Sequence, residues 1–195
     1  KSTDSIVYFY NTLKRKFTNK IVVKNLFDIH QITFFNNFVF LTETGKNRIQ
    51  VLNILNSKID FFINIGDIRK DVNHINAINI DNNFLYIGLN NGHEKNEFKN
   101  AQIIKIPTDQ VLKLKSFNAL NHGNLINLNG VYHTHDIEKF DDDYLISSSN
   151  LGKIYSLNTK KLIIDINPWT RGIALGQNSI FIGKSGMGKR KSRHS

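Results

Sequence analysis

The sequence has 195 residues, of which 40% are hydrophobic and 22% charged, a composition typical of a folded domain with its own core. No apolar run approaches the roughly 20 residues that a membrane-spanning helix needs, and no signal peptide is evident. The first residue is not Met, so a preceding segment can be missing and the compartment stays open. The absence of cysteine excludes disulfides and thiolate metal ligands.

The formal net charge is +10, which would suit an anionic partner. The lysines accompany many Asn and Ile residues, a bias expected of AT-rich codons, and they are scattered except at the two ends. We therefore do not expect nucleic-acid binding, and we expect no membrane partner.

The first predicted elements are two strands, IVYFY at residues 6–10 and KIVVK at residues 20–24, joined by a basic turn. Four longer copies of one pattern follow. In each copy apolar and polar residues alternate for about six positions, a tight turn follows, and a second β-rich run comes after the turn. The turns contain residue types that tolerate close hairpins, and they are Asn36-Asn37, Asp81–Asn83, Asp141–Asp143 and Gly176–Asn178.

The fullest copy, residues 134–158, contains three β runs with two turns, and the run at residues 162–166 adds a fourth. This antiparallel meander of four strands is the unit of a β-propeller blade. We predict an all-β fold, a single β-propeller domain over residues 1–195 that forms a partial ring. It contains three near-complete four-stranded blades and two half blades, at residues 6–25 (half), 27–66, 72–118, 131–167 and 169–195 (half).

The two predicted half blades leave the ring open, and there are two ways to complete it. They can pair with each other and close a ring of four blades, or the chain can be part of a larger ring. We favour the larger ring, and we expect the unpaired strand edges to make the isolated chain self-associate.

Two polar stretches, residues 90–100 and 116–129, are expected to be loops inserted between strands. Residues 109–117 are the only helix candidate, and their β-branched and Lys content leaves that assignment ambiguous. The stretch at residues 183–190 nearly matches a phosphate-binding P-loop. However, Arg190 stands where Ser or Thr would hold Mg²⁺, so we interpret the stretch as a Gly-rich hairpin loop.

Each of the four copies starts with a residue that can bind a ligand. The innermost strand of every propeller blade lines the central channel, so residues at the strand starts converge on one mouth of that channel. These starting residues are His30, His74, His135 and Arg171.

Three imidazoles at one mouth can ligate a divalent transition metal such as Zn²⁺, Fe²⁺ or Mn²⁺. The predicted metal ligands are therefore His30, His74 and His135, with Asp136 as an orienting group or a fourth ligand. Hydrogen bonding that only closes each blade is the alternative role of these histidines.

The remaining predicted contacts are polar. Arg171 can form a fork with a carboxylate or phosphate of a ligand. Asn76 follows His74 by two residues and therefore faces the same side of its strand. His133 lies before its strand and is expected on a loop.

Residues 135–158 and 169–194 resemble an uncharacterised bacterial family of six-bladed β-propellers, found as domains of unknown function. Successive blades of that family start with His-Asp-hydrophobic, His-x-Asn-(Gly/Ala) and (Thr/Pro)-Arg-Gly-hydrophobic-Ala. The matching residues here are His135–Ile137, His74–Ala77 and Thr170–Ala174. The resemblance implies a propeller without an assigned reaction, and this chain departs from it by lacking the remaining blades. NHL-type and gluconolactonase-type propellers are more distantly similar.

Three functions are compatible with this pattern. The favoured one is binding of a small-molecule or glycan-like, anionic ligand at the His- and Arg-lined mouth. The first alternative is a metal-assisted lyase or hydrolase that uses the same histidines. The second is a scaffold whose positive charge binds an acidic protein partner.

Overall fold

The computed structural model describes residues 3–68, 71–90, 100–167 and 169–185. Alternating residues at the N-terminus form an antiparallel hairpin of β1 (Thr3–Asn11) and β2 (Lys16–Leu26). The alternation buries Ile21 and Val23 on one face and leaves Tyr8 on the other face exposed. We call this pair the leading half-blade.

Blade 1 is an antiparallel meander that follows directly. Its strands are β3 (Ile29–Phe35), β4 (Phe38–Glu43), β5 (Arg48–Asn53) and β6 (Lys58–Asn64). The predicted turn between β3 and β4 is confirmed, and Asn36 adopts a left-handed conformation there with φ of 52°.

Blade 2 has four strands whose last member comes after a helical detour. The elements are β7 (Ile75–Ile80), β8 (Phe84–Leu89), β9 (Gln102–Pro107), α1 (Thr108–Leu114), β10 (Phe117–Asn118), α2 (Ala119–His122) and β11 (Asn124–Asn127). The strand β11 pairs with β9, whereas the short β10 joins β6 of blade 1 in parallel. The segment 109–117, whose assignment as a helix was ambiguous, is therefore helical up to Leu114, where α1 ends.

The polar stretch at residues 116–129 was expected to be a loop, and that expectation is wrong. It contains the outermost strand of blade 2, so this blade extends to Asn127 rather than ending at residue 118. The segment NLIN has only two apolar residues and gave no alternation signal, because an outer strand needs little apolar surface. The other expected loop, at residues 90–100, lies largely outside the described residues.

Blade 3 is the predicted meander, and a second half-blade follows it. The strands are β12 (Ile137–Phe140), β13 (Asp143–Ser148), β14 (Lys153–Ser156), β15 (Leu162–Asp165), β16 (Thr170–Gly176) and β17 (Ser179–Lys184). We call the β16–β17 pair the trailing half-blade. The all-β fold with partial-propeller architecture is thus confirmed, with three full blades and two halves among the described residues.

Apolar clusters hold each blade against the next. One cluster joins blade 1 to blade 2, a second joins blade 2 to blade 3, and smaller clusters attach the two half-blades. The leading and trailing half-blades remain separate two-stranded sheets in the described structure, so they do not pair within one chain. The blades therefore form an open arc.

A buried polar contact links the four innermost strands. The Gln31 side chain of β3 donates to the Asp136 carboxylate at 2.9 Å, although the two residues are 105 positions apart. Gln31 also accepts from the backbone N–H of Ile78, and Asp136 accepts from the backbone N–H of Ile173. We call this arrangement the Gln31–Asp136 clasp.

The clasp predicts a large effect of Asp136→Ala on stability. Removing the carboxylate leaves the half-buried Gln31 amide and the buried Ile173 N–H without acceptors, which costs about 2–4 kcal/mol in the free energy of unfolding. Urea unfolding measures this loss, with Asp142→Ala, an exposed change in the same blade, as the control. Equal stability of the two variants would contradict the proposed importance of the clasp.

Candidate functional site

Each innermost strand is entered through the same backbone geometry. A residue with positive φ accepts, through its carbonyl, a hydrogen bond from the backbone N–H that follows the second strand of that blade. The acceptor residues are Asp28, His74, His133 and Trp169, with donor–acceptor distances between 3.0 and 3.2 Å. These four residues are therefore structurally equivalent.

This equivalence corrects the predicted repeat alignment at one copy. The sequence alignment matched His74 with His30, His135 and Arg171, but the structural equivalent of those residues is Asn76. His74 is two positions earlier, where the other copies have Asp28, His133 and Trp169. The alignment failed because a histidine occupies the earlier position in blade 2 and imitates the start of the other copies.

A β-bulge follows the entry residue and presents the candidate site residues. The strand pairing shifts by one residue between Ile29 and Ile32, and the same shift recurs in blade 2 and in the trailing half-blade. The residues inside these irregularities include His30, Asn76 and Arg171. Bulges re-aim side chains and are frequent beside binding sites.

His30 and His74 lie next to each other. Their ring centroids are 5.1 Å apart in an edge-to-face arrangement. His30 Nε2 lies 3.4 Å from the Asp28 carboxylate, and His74 Nδ1 lies 2.8 Å from the Asp71 carboxylate. Each carboxylate orients its imidazole, so His30 Nδ1 and His74 Nε2 are the nitrogens without a described protein partner.

His135 is held by two hydrogen bonds that define its tautomer. Its Nδ1 is 2.8 Å from the carbonyl oxygen of His133, which can only accept, so Nδ1 carries the proton. Its Nε2 is 3.2 Å from the Asn76 amide and therefore accepts a hydrogen bond. Burial lowers the pKa of His135 to about 4, and the positive charge of Arg171 adds to the shift. His135 is therefore neutral at pH 7.

Arg171 shares an electrostatic environment with the histidines. Burial lowers the pKa of His30; Asp28 opposes this shift. The neighbouring charges of His74 and Arg171 lower it further. The Arg171 side chain is exposed, and within the described residues it forms no hydrogen bond or ion pair. The structure thus places the four predicted starting residues near one another at one end of the innermost strands.

Asp136 lies next to His135 in sequence, but its carboxylate serves the clasp. Both oxygens accept hydrogen bonds, from Gln31 and from the backbone N–H groups of Ile137 and Ile173. Burial raises its pKa. A direct ligand contact by Asp136 stays a prediction, and the described geometry gives it a positioning role.

The predicted metal site has no preformed geometry. Within the described residues, no group of three or more His, Asp or Glu side chains is arranged to hold a metal ion. His135 explains this, because Nδ1 donates to a carbonyl and the lone pair of Nε2 accepts from Asn76. The three histidines are near one another, but His135 offers no ring nitrogen for coordination in this arrangement.

A separate cavity of about 200 Å³ lies between blades 2 and 3, beside the hairpin turns at the opposite strand ends. Asp81 is central to its wall, accepting from Lys139 at 2.7 Å and from the Tyr144 hydroxyl. Burial opposes ionisation of Asp81, but these hydrogen bonds lower its pKa well below the ordinary range. Sequence analysis had assigned Asp81 only to a turn, since its partners come from another blade.

Sequence analysis also missed the groups that orient the histidines. Asp28 and Asp71 precede their histidines by two and three residues, a spacing that could have indicated them. The Gly-rich hairpin interpretation of residues 183–190 lies mostly outside the described residues, and so does the basic C-terminus.

The described blades, with the candidate residues at one end of their innermost strands, define a propeller-like fold that forms part of a ring. No protein-family model matches the chain, and no curated protein sequence matches it either. The predicted membership of a bacterial six-bladed family therefore has no support from these comparisons. Among the described residues no helix is long and apolar enough to cross a membrane.

Solved structures support the fold. A streptogramin B lyase matches with a TM-score of 0.60 and 13% identity, over 92% of this chain and 55% of the lyase. A hydrazine synthase from Kuenenia stuttgartiensis matches with a TM-score of 0.55 and 12% identity, over 86% of this chain and 45% of the synthase chain. The computationally designed protein Ika8 matches with a TM-score of 0.51 and 11% identity, over 91% of this chain and 49% of the designed chain. The chain therefore spans about half the length of these propeller-like structures.

The buried neutral His135 predicts a pH-dependent stability. Between its folded pKa of about 4 and the ordinary value of 6.5, the unfolded chain binds more protons than the folded chain. Stability should therefore fall as the pH falls through this window. Urea unfolding at pH 7, 5.5 and 4.5 should show a smaller loss for His135→Gln than for the wild type.

His122→Gln is the matched control, because His122 is exposed and distant from the site in sequence and blade. This variant should keep the wild-type dependence on pH. If His135→Gln also kept it in full, His135 would not be the buried neutral group described above.

Proposed function

We propose that this protein binds a small ligand that carries both an anionic group and hydroxyl groups, such as an acidic or phosphorylated sugar. The site is the mouth formed by His30, His74, Asn76, His135 and Arg171. The single observation that carries the proposal is the Arg171 guanidinium, which has no hydrogen-bond or ion-pair partner among the described residues and lies close to His30 and His135.

The anionic group is assigned from Arg171. A guanidinium presents several N–H donors in a planar fork, and this fork matches a carboxylate or a phosphate. Within the described residues the guanidinium has no ion-pair partner, and it lies close to His30 and His135, whose pKa values its positive charge helps to lower. These features favour an anionic ligand over a neutral or cationic one.

The hydroxyl groups are assigned from the histidines. When an imidazole is neutral and one nitrogen donates to a carboxylate, the other nitrogen carries a lone pair and accepts. His30 Nδ1 is in this situation, because Asp28 holds Nε2 and burial lowers the pKa of the imidazole. This acceptor beside a guanidinium, with the His74 ring 5.1 Å from the His30 ring, suits a ligand that has a hydroxyl donor next to its anionic group.

The metal-assisted lyase or hydrolase is the weaker alternative. It requires His135 Nε2 to give up its hydrogen bond to Asn76 before that nitrogen can reach a metal. The similarity to a streptogramin B lyase is 13% identity and supports the fold alone. A purely electrostatic scaffold would not need the oriented imidazoles.

Isothermal titration with three probes tests the proposal: glucuronate, glucose 6-phosphate and glucose. We expect the first or the second to bind, and neutral glucose to bind at least about tenfold more weakly, because it lacks the group that pairs with the guanidinium. Arg171→Gln should weaken the anionic probe by about tenfold or more, and Arg171→Lys by less.

Lys161→Gln is the control variant, since it removes an equal charge from an exposed site in blade 3. It should leave the affinity unchanged. Equal binding of glucose and both anionic probes, or equal losses in Arg171→Gln and Lys161→Gln, would overturn the assignment of the site.

A further inference from the structure

We propose that the cavity between blades 2 and 3 is a second binding site, and that it takes a single free amino acid with an apolar side chain. The ligand carboxylate pairs with Lys105, and the ligand ammonium group pairs with Asp142. The cavity lies beside the hairpin turns, at the strand ends opposite the mouth, so the inference is independent of the ligand proposed for the mouth.

Two neighbouring blades build the wall of this cavity. Blade 2 contributes Phe84 and Tyr86 from β8 and Lys105 from β9, and blade 3 contributes Lys139 from β12 and Tyr144 from β13. The rings of Tyr86 and Tyr144 pack across the boundary, with their centroids 4.2 Å apart, and both residues are buried. The cavity therefore has a firm wall that is formed without a ligand.

One charged pair in the wall is already satisfied. The Asp81 carboxylate accepts four hydrogen bonds, from the backbone N–H groups of Asn83 and Phe84, from Lys139 Nζ at 2.7 Å and from the Tyr144 hydroxyl. A carboxylate has about four acceptor positions, so these donors occupy it completely. Lys139 balances the charge of Asp81, which has no position left for a ligand or for a further cation.

Lys105 is a cation of the wall without an anionic partner among the described residues. Its Nζ lies 3.8 Å from the centroid of the Phe84 ring and 5.6 Å from that of Tyr86, so the ring faces hold the ammonium group at the cavity. In the part of the chain that the structure describes, Lys105 Nζ forms no hydrogen bond or ion pair. An aromatic face leaves the three N–H donors of an ammonium group open, so Lys105 can donate to a ligand carboxylate.

Asp142 is the matching anion. It is exposed in the turn between β12 and β13, and its backbone carbonyl accepts from the Asn158 side chain at 3.1 Å. Its carboxylate forms no hydrogen bond or ion pair with any described residue. A simple anion would pair with Lys105 and leave the negative charge of Asp142 beside it, whereas a zwitterion carries one group for each of the two. The wall therefore favours an amino acid over a simple carboxylate.

The size of the cavity favours a small ligand. Its volume of about 200 Å³ corresponds to the share of about seven water molecules in the liquid. Pockets that hold drug-sized ligands begin at about 300 Å³. A single amino acid fits in this space, whereas a nucleotide would extend out of it. The aromatic residues Phe84, Tyr86 and Tyr144 in the wall suit an apolar ligand side chain.

Isothermal titration with leucine and two analogues tests the site. Isocaproate is leucine without its ammonium group, and isoamylamine is leucine without its carboxylate. We expect leucine to bind, and isoamylamine to bind at least about tenfold more weakly because the pairing with Lys105 is lost. Isocaproate should bind about threefold more weakly, since an exposed ion pair such as that with Asp142 is screened by solvent.

Two substitutions assign the two charged groups. Lys105→Gln should weaken leucine binding by about tenfold or more without weakening isoamylamine binding. Asp142→Asn should weaken leucine binding by about threefold without weakening isocaproate binding. Lys161→Gln and Asp165→Asn remove the same charges from exposed positions of blade 3 that do not line the cavity, so both should keep the wild-type affinity for leucine.

Arg171→Gln separates this site from the mouth. It should leave the affinity for leucine unchanged, and glucuronate should not displace leucine, because the two sites lie at opposite strand ends. Failure of every anionic sugar to bind would count against the mouth alone. The amino-acid site is overturned if leucine does not bind, if either analogue binds as tightly as leucine, or if Arg171→Gln weakens leucine binding more than Lys105→Gln does.

Discussion

The arrangement of the arc depends on the buried clasp between Gln31 and Asp136. Apolar packing between blades is tolerant of small rotations, whereas a hydrogen-bonded amide and carboxylate with backbone partners from two further strands fix four innermost strands at once. His30 immediately precedes Gln31, and His135 immediately precedes Asp136. The clasp therefore sets the separation of two site residues that are far apart in sequence, and the buried polar pair links the fold directly to the candidate site.

The chemistry of the mouth follows from a difference in burial: His30 and His135 are partly or largely buried, whereas the Arg171 guanidinium beside them is exposed. Burial keeps His135 neutral and lowers the pKa of His30, while the exposed Arg171 keeps its charge in contact with solvent. If all four groups were charged, their repulsion would open the mouth. Because the pKa values of His30 and His135 are lowered, these two imidazoles can lie beside a guanidinium and act as polar partners. His135 engages both ring nitrogens, so in the described residues the three histidines are not arranged as a ready set of metal ligands.

The sequence was sufficient for the inner strands of the blades, but not for the outermost strand of blade 2 or for the register of the strand starts. Hairpin turns such as Asn36-Asn37 have a local cause, the tolerance of Asn for left-handed backbone, and local causes can be predicted from local sequence. The bulges at the entries of blades 1 and 2 and of the trailing half-blade have no residue signature of their own, so the alignment placed His74 where Asn76 belongs. The clasp and the Asp81–Tyr144 contact were also missed, because each joins residues more than 60 positions apart.

Comparing equivalent positions in successive blades shows which part of a residue's exposure comes from its own strand pattern and which part comes from the neighbouring blade. Phe181 and Ile32 belong to strands with the same alternation as their buried counterparts, so the residue types are those of an interior blade. Their exposure comes from missing neighbours and not from a change in sequence pattern. Leaving such side chains in water forfeits about 1.5–3 kcal/mol of burial energy for each one. A surface made by interrupting a repeat therefore keeps the shape and the residue types of an interior face.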